Sequence, residues 1–127
     1  MQIHRAFIAF TVAAVLLGSA AAAAQPRLAG SEPAPDSEAA APARVTLRFD
    51  APLVVRSSAA RLVMTGMPGM ADHPPMPVAV TVSAGEEPGT MWLTPRQPLV
   101  AGSYRVDWRA VSPDSQPVTG SVGFRVR

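Results

Sequence analysis

The sequence predicts a single all-β domain, a small antiparallel sandwich or barrel. Apolar and polar residues alternate with a period of two in several short runs, and Gly/Pro clusters punctuate them in a chain with 9 Gly and 14 Pro. Beyond residue 24, no stretch carries an apolar stripe at the 3.6-residue helical period. A length of 127 residues leaves room for one domain.

Residues 1–24 are read apart from the fold. Arg5 lies near the start, residues 6–17 (AFIAFTVAAVLL) are apolar, and Gly18, Ser19 and a run of alanines follow, the three parts of a secretory signal peptide. The apolar run is shorter than the ~20 residues that cross a bilayer. Cleavage between Ala24 and Gln25 is expected, giving an exported domain of residues 25–127 with no stable membrane insertion.

Residues 25–42 (QPRLAGSEPAPDSEAAAP) have no periodicity and read as an extended lead-in. In residues 44–49, Val45, Leu47 and Phe49 alternate with Thr46 and Arg48, the pattern of a half-buried strand. Residues 60–64 (ARLVM) form another short strand, residues 78–82 (VAVTV) place three valines on one face, and residues 90–94 (TMWLT) lie between Pro88-Gly89 and Pro95. In residues 102–111, Tyr104, Val106, Trp108 and Ala110 point one way and Arg105, Asp107 and Arg109 the other. Residues 121–127 repeat the alternation with Val122, Phe124 and Val126 inside. Tyr104, Trp108 and Trp92 are expected in the core.

Composition excludes several function classes. With no cysteine there is no disulfide framework, thiolate zinc site, iron–sulfur cluster or thiol nucleophile. All 11 basic side chains are Arg against 9 acids, a net charge of +2, so the pI of about 10.4 reflects the lack of groups titrating at intermediate pH. No aromatic is interleaved with a basic cluster, which leaves a nucleic-acid platform unsupported. Removing the signal also removes His4, so His73 is the only imidazole of the exported domain. No nucleophile–base pair emerges from the spacing, and no enzymatic activity is expected.

Residues 64–77 (MTGMPGMADHPPMP) break the pattern. They hold Met64, Met67, Met70 and Met76 around His73. Gly66, Pro68, Gly69, Pro74, Pro75 and Pro77 forbid a regular helix, and Ala71 is the only other aliphatic side chain, so a surface loop is expected. Thioether sulfur is neutral and soft; it suits Cu(I), and an unprotonated imidazole completes a three- or four-coordinate set. A flexible apolar patch for a protein partner accounts for the same methionines.

These residues carry a resemblance. MTGMPGM, YRVDWRAVSPDSQPVTG and the lead-in QPRLAGSEPAPDSEAAAPARVTLRFDAPL together resemble the CopC family of periplasmic copper-resistance and copper-carrier proteins, over nearly all of residues 25–127. The resemblance implies a Greek-key β-barrel, cupredoxin-like or immunoglobulin-like, that binds copper in the periplasm without catalysis. It implies a Cu(I) site at Met64, Met67, Met70, His73 and Met76, with His73 set one residue further from Met70 than the family spacing. The family's Cu(II) site uses an N-terminal His and a His in an Asp-x-His-Pro turn. Here those places hold Gln25 and, in Asp114-Ser115-Gln116-Pro117, Gln116 beside Asp114, so a Cu(I)-only member is expected, with Asp114 serving the turn. The partners implied are copper and a recipient such as a CopD-type inner-membrane permease or a multicopper oxidase. The alternative is an immunoglobulin-like interaction module whose Met loop is a protein contact.

Overall fold

The computed structural model describes residues 25–70, 73–114 and 116–127. The expected signal peptide therefore lies outside the described residues. Among the described residues, nine strands follow in order: β1 (Leu28–Glu32), β2 (Glu38–Ala39), β3 (Val45–Phe49), β4 (Ala59–Gly66), β5 (Met76–Val78), β6 (Val80–Ala84), β7 (Thr90–Pro95), β8 (Gly102–Ala110) and β9 (Val118–Val126). The one helical element among the described residues is a single 3-10 turn, Val55–Ser57. Two sheets form, ordered β1-β3-β7-β6 and β2-β9-β8-β4-β5. The expected all-β sandwich is what the chain adopts.

The core lies between the sheets and is built by the expected alternation. Val45, Leu47 and Phe49 of β3, Met91 and Leu93 of β7, Tyr104, Val106 and Ala110 of β8, and Val122, Phe124 and Val126 of β9 are all buried. Each aliphatic or aromatic side chain fully removed from water contributes about 1.5–3 kcal/mol before entropy is charged against it. Tyr104 stacks on Phe124 at 5.6 Å, and Phe49 meets Trp108 edge-on at 5.8 Å. The Tyr104 hydroxyl donates to the Val100 carbonyl at 2.6 Å, tying the β7–β8 connection to β8.

Three expectations need correction. Residues 25–42 are not only a lead-in: β1 pairs antiparallel with β3, and β2 pairs parallel with β9. Neither strand alternates in sequence because each is a sheet edge whose hydrogen bonds come from a distant partner. The valines of residues 78–82 do not form one strand, since the chain passes from β5 in one sheet to β6 in the other at Ala79. Val78, Val80 and Val82 still pack against the same core, from opposite sides. Trp92 is not in the core. Met91 and Leu93 point inward, so Trp92 faces outward, where the Arg44 guanidinium lies 3.7 Å from its ring centroid.

The sandwich has two distinct ends. One gathers the end of β4, the start of β8 and the end of β9, because Gly66 pairs with Ser103 and Gly102 with Val126. The other gathers Phe49, Ala110 and Val118, where Val54 N–H donates to the Val111 carbonyl at 2.7 Å. The methionines lie at the first end.

Candidate metal centre

The register of β4 on β8 shifts between Met64 and Gly66, and the chain leaves the sheet just beyond. Met67 and Met70 then exchange two backbone hydrogen bonds, 2.9 and 2.8 Å, across Pro68 and Gly69. Pro68 supplies the fixed φ of the second turn position and Gly69, at φ +84°, the left-handed third position, which makes a type II turn. Residues that exchange both hydrogen bonds lie about 5.5 Å apart at Cα with side chains on one face. Met-Pro-Gly-Met is thus a clip that presents two thioethers side by side.

The chain returns at His73, whose N–H donates to the Thr65 carbonyl at 3.2 Å. Its Nδ1 lies 2.8 Å from the Pro74 carbonyl oxygen. A carbonyl only accepts, so Nδ1 donates to it, and in the uncharged form of the ring the lone pair lies on Nε2. That Nε2 is buried and has no hydrogen-bond partner among the described residues. Metal-binding imidazoles are commonly oriented this way, one nitrogen held by a carbonyl and the other left for the ion.

Met76 opens β5 opposite Met64. The two share a face, yet their surroundings differ: Met76 sits on the edge strand and is 50% exposed, whereas Met64 is 6% exposed. Met67 and Met70 are 36% and 53% exposed. The expectation that Met64 belongs to the surface loop is therefore corrected. Met64 is the inward residue of a central strand, and its methyl lies where a Cβ on Gly102 would stand, 2.5 Å away. It packs in the core, near Tyr104. Residues 71 and 72 are not among the described residues.

Beside the clip runs an open groove of about 490 Å³, with Met67 and Met70 on one wall and Glu38, Ser103 and Arg125 on the other. Val100, 64% exposed, stands near the same end. Its exposure escaped sequence reasoning, as did the grip of Thr65 and Pro74 on His73. The Pro-Gly pair within MPGM was a legible type II turn signal.

Gln25, Asp114 and Gln116 lie at the opposite end, all exposed. Pro26 is fully buried, and Asp50 accepts the Arg27 N–H at 2.8 Å, so the chain is anchored immediately after Gln25. Asp114 sits in the β8–β9 turn. Among the described residues, no three His, Asp or Glu side chains gather as a metal site. The thioethers of Met67, Met70 and Met76 and the imidazole of His73 lie toward the first end.

A β-sandwich carrying exposed thioethers and one oriented imidazole at a single end has the makings of a soft-metal-binding protein. The CopC domain matches residues 28–127, and the chain belongs to that family. It is 52% identical over 127 residues, all of both chains, to Copper resistance protein C of Pseudomonas syringae pv. tomato. With Copper resistance protein C of Escherichia coli it shares 52% identity over 106 residues, 84% of each chain. The crystal structure of PcoC, a methionine-rich copper resistance protein from Escherichia coli, superposes with a TM-score of 0.77 at 50% identity, covering 82% of this chain and 100% of that one. CopC from Methylosinus trichosporium OB3b, at 24% identity and a TM-score of 0.63, shares the fold, over 80% of this chain and 93% of its own.

Proposed function

We propose that this chain is a periplasmic copper protein that sequesters Cu(I) or carries it to a partner, as part of copper resistance. What supports this reading is that Met67, Met70 and Met76 are exposed near the end where His73 N–H meets the Thr65 carbonyl, and that Nε2 of His73 has no partner among the described residues while Nδ1 is held. Three neutral sulfurs and one neutral imidazole satisfy a d10 ion without burying negative charge. Met64 supports the site from the core. Half-exposed thioethers also let an acceptor's sulfurs replace them one at a time, which suits transfer. The recipients that fit are an inner-membrane copper permease of CopD type or a multicopper oxidase.

Cu(II) binding is lost in this reading. Gln25 and Gln116 supply amides where imidazoles are needed, and Asp114 alone makes a poor Cu(II) site. A second reading, a protein contact without metal, draws on Val100, whose exposure adds an aliphatic side chain to the methionine end. Titration of residues 25–127 against a competing Cu(I) chelator separates the two. One equivalent of tight Cu(I), lost in Met67→Leu/Met70→Leu with the fold intact, is expected; leucine conserves volume and removes the sulfur. Retained tight binding in that variant would refute the site.

A further inference from the structure

The fold sorts the methionines of residues 25–127 by access to solvent. Met91 is 0% and Met64 6% exposed, against 36% for Met67, 50% for Met76 and 53% for Met70. We infer that Met67, Met70 and Met76 form a sulfoxidation site for peroxide-class oxygen donors, and that their oxidation expels the bound soft metal. The metal half of this inference rests on the copper reading above.

The chemistry needs no further reagent. A thioether lone pair attacks one oxygen of hydrogen peroxide, the O–O bond breaks, an S–O bond forms, and the second oxygen leaves as water after proton transfer. Sulfur is oxidised by two electrons and the peroxide reduced by two. The product is electron-poor at sulfur and presents a hard oxygen, a poor ligand for Cu(I) or Ag(I).

Geometry makes the event local. The Pro68-Gly69 turn carries Met67 and Met70 beyond the end of β4, where they line an open groove, and Met76 opens an edge strand. A sulfoxide at these positions meets water, so no unpaired polar group is buried and the fold survives. An oxygen on Met91 would be buried in the core and would unfold the domain. Met67 should react more slowly than Met70 or Met76, because it is the least exposed of the three. Bound metal uses the lone pairs that peroxide attacks, so metal occupancy and oxidation exclude each other.

The test treats residues 25–127 with hydrogen peroxide and maps sulfoxide by peptide mass. Oxygen is expected on Met70 and Met76 first and then Met67, with Met64 and Met91 unmodified and the melting curve unchanged. Titration with Ag(I), a redox-inert d10 probe, should then show affinity lowered by about 10-fold or more, the scale on which metal sites lose affinity when a supporting group goes. Methionine sulfoxide reductases of both epimer specificities should restore it. Oxidation of Met64 or Met91 at the rate of Met70 overturns the site, and undiminished Ag(I) binding after oxidation overturns the link to metal. If untreated protein fails to hold Ag(I), the copper reading falls together with that link, while the peptide masses still decide the sulfoxidation site.

Discussion

Gly69 costs the clip little as glycine and would cost it more as any other residue. At φ +84° an L side chain is strained by roughly 1–2 kcal/mol, and no atom lies within 4 Å to add a clash. Gly69→Ala should therefore lower the melting temperature only slightly while weakening Cu(I) binding, measured by chelator competition, because the turn relaxes and the two thioethers part. Tyr104 offers a separate check. Burial pushes its hydroxyl above the ordinary value of 10.0. The folded value thus exceeds the unfolded one, so this contribution to stability is complete below pH about 10 and is lost as pH rises through the folded value. Tyr104→Phe should cost about 1 kcal/mol in denaturant unfolding at neutral pH and should flatten the alkaline fall in stability. The soft donors were legible as a cluster of residue types. That Met64 stands apart was not, because inward and outward positions of a strand look alike until its neighbours are known.

Strands differed in how plainly they could be read. β3, β7, β8 and β9 announce themselves, since one face packs on the core and the other meets water. β1 and β2 do not. Their place is set by backbone pairing with β3 and β9, which asks little of side-chain pattern. Trp92 shows the same limit within β7: beside Met91 it reads as core, yet period two turns neighbours to opposite faces. Comparing two truncations tests this assignment. Trp92→Ala should cost about 0.5–1 kcal/mol, the worth of an exposed cation–π contact with Arg44. Met91→Ala, at a fully buried position, should cost about 2–5 kcal/mol in the same unfolding experiment.

Across the sandwich, the two ends are separated by the length of β8. Its 9 residues span roughly 30 Å at about 3.3 Å each. Chemistry at one end is therefore independent of chemistry at the other. Gln25→His/Gln116→His, which returns two imidazoles to the end holding Asp114, should gain Cu(II) binding, read by electron paramagnetic resonance. Cu(I) affinity at the methionine end should stay unchanged. A simultaneous change in both would mean the ends communicate.

Composition and spacing alone carried the all-β class, the strongest strands and the cluster of methionines with His73, because each follows from local periodicity or residue chemistry, whereas the copper-resistance family was legible only as a resemblance in MTGMPGM and YRVDWRAVSPDSQPVTG. Which methionine is buried, which nitrogen of His73 is held by a carbonyl and which edges the lead-in covers were decided by packing. Those depend on cross-strand partners far away in the chain: Gly102 against Met64, Thr65 against His73, β3 and β9 against β1 and β2. Such pairings exist only once the two sheets have closed on their common core.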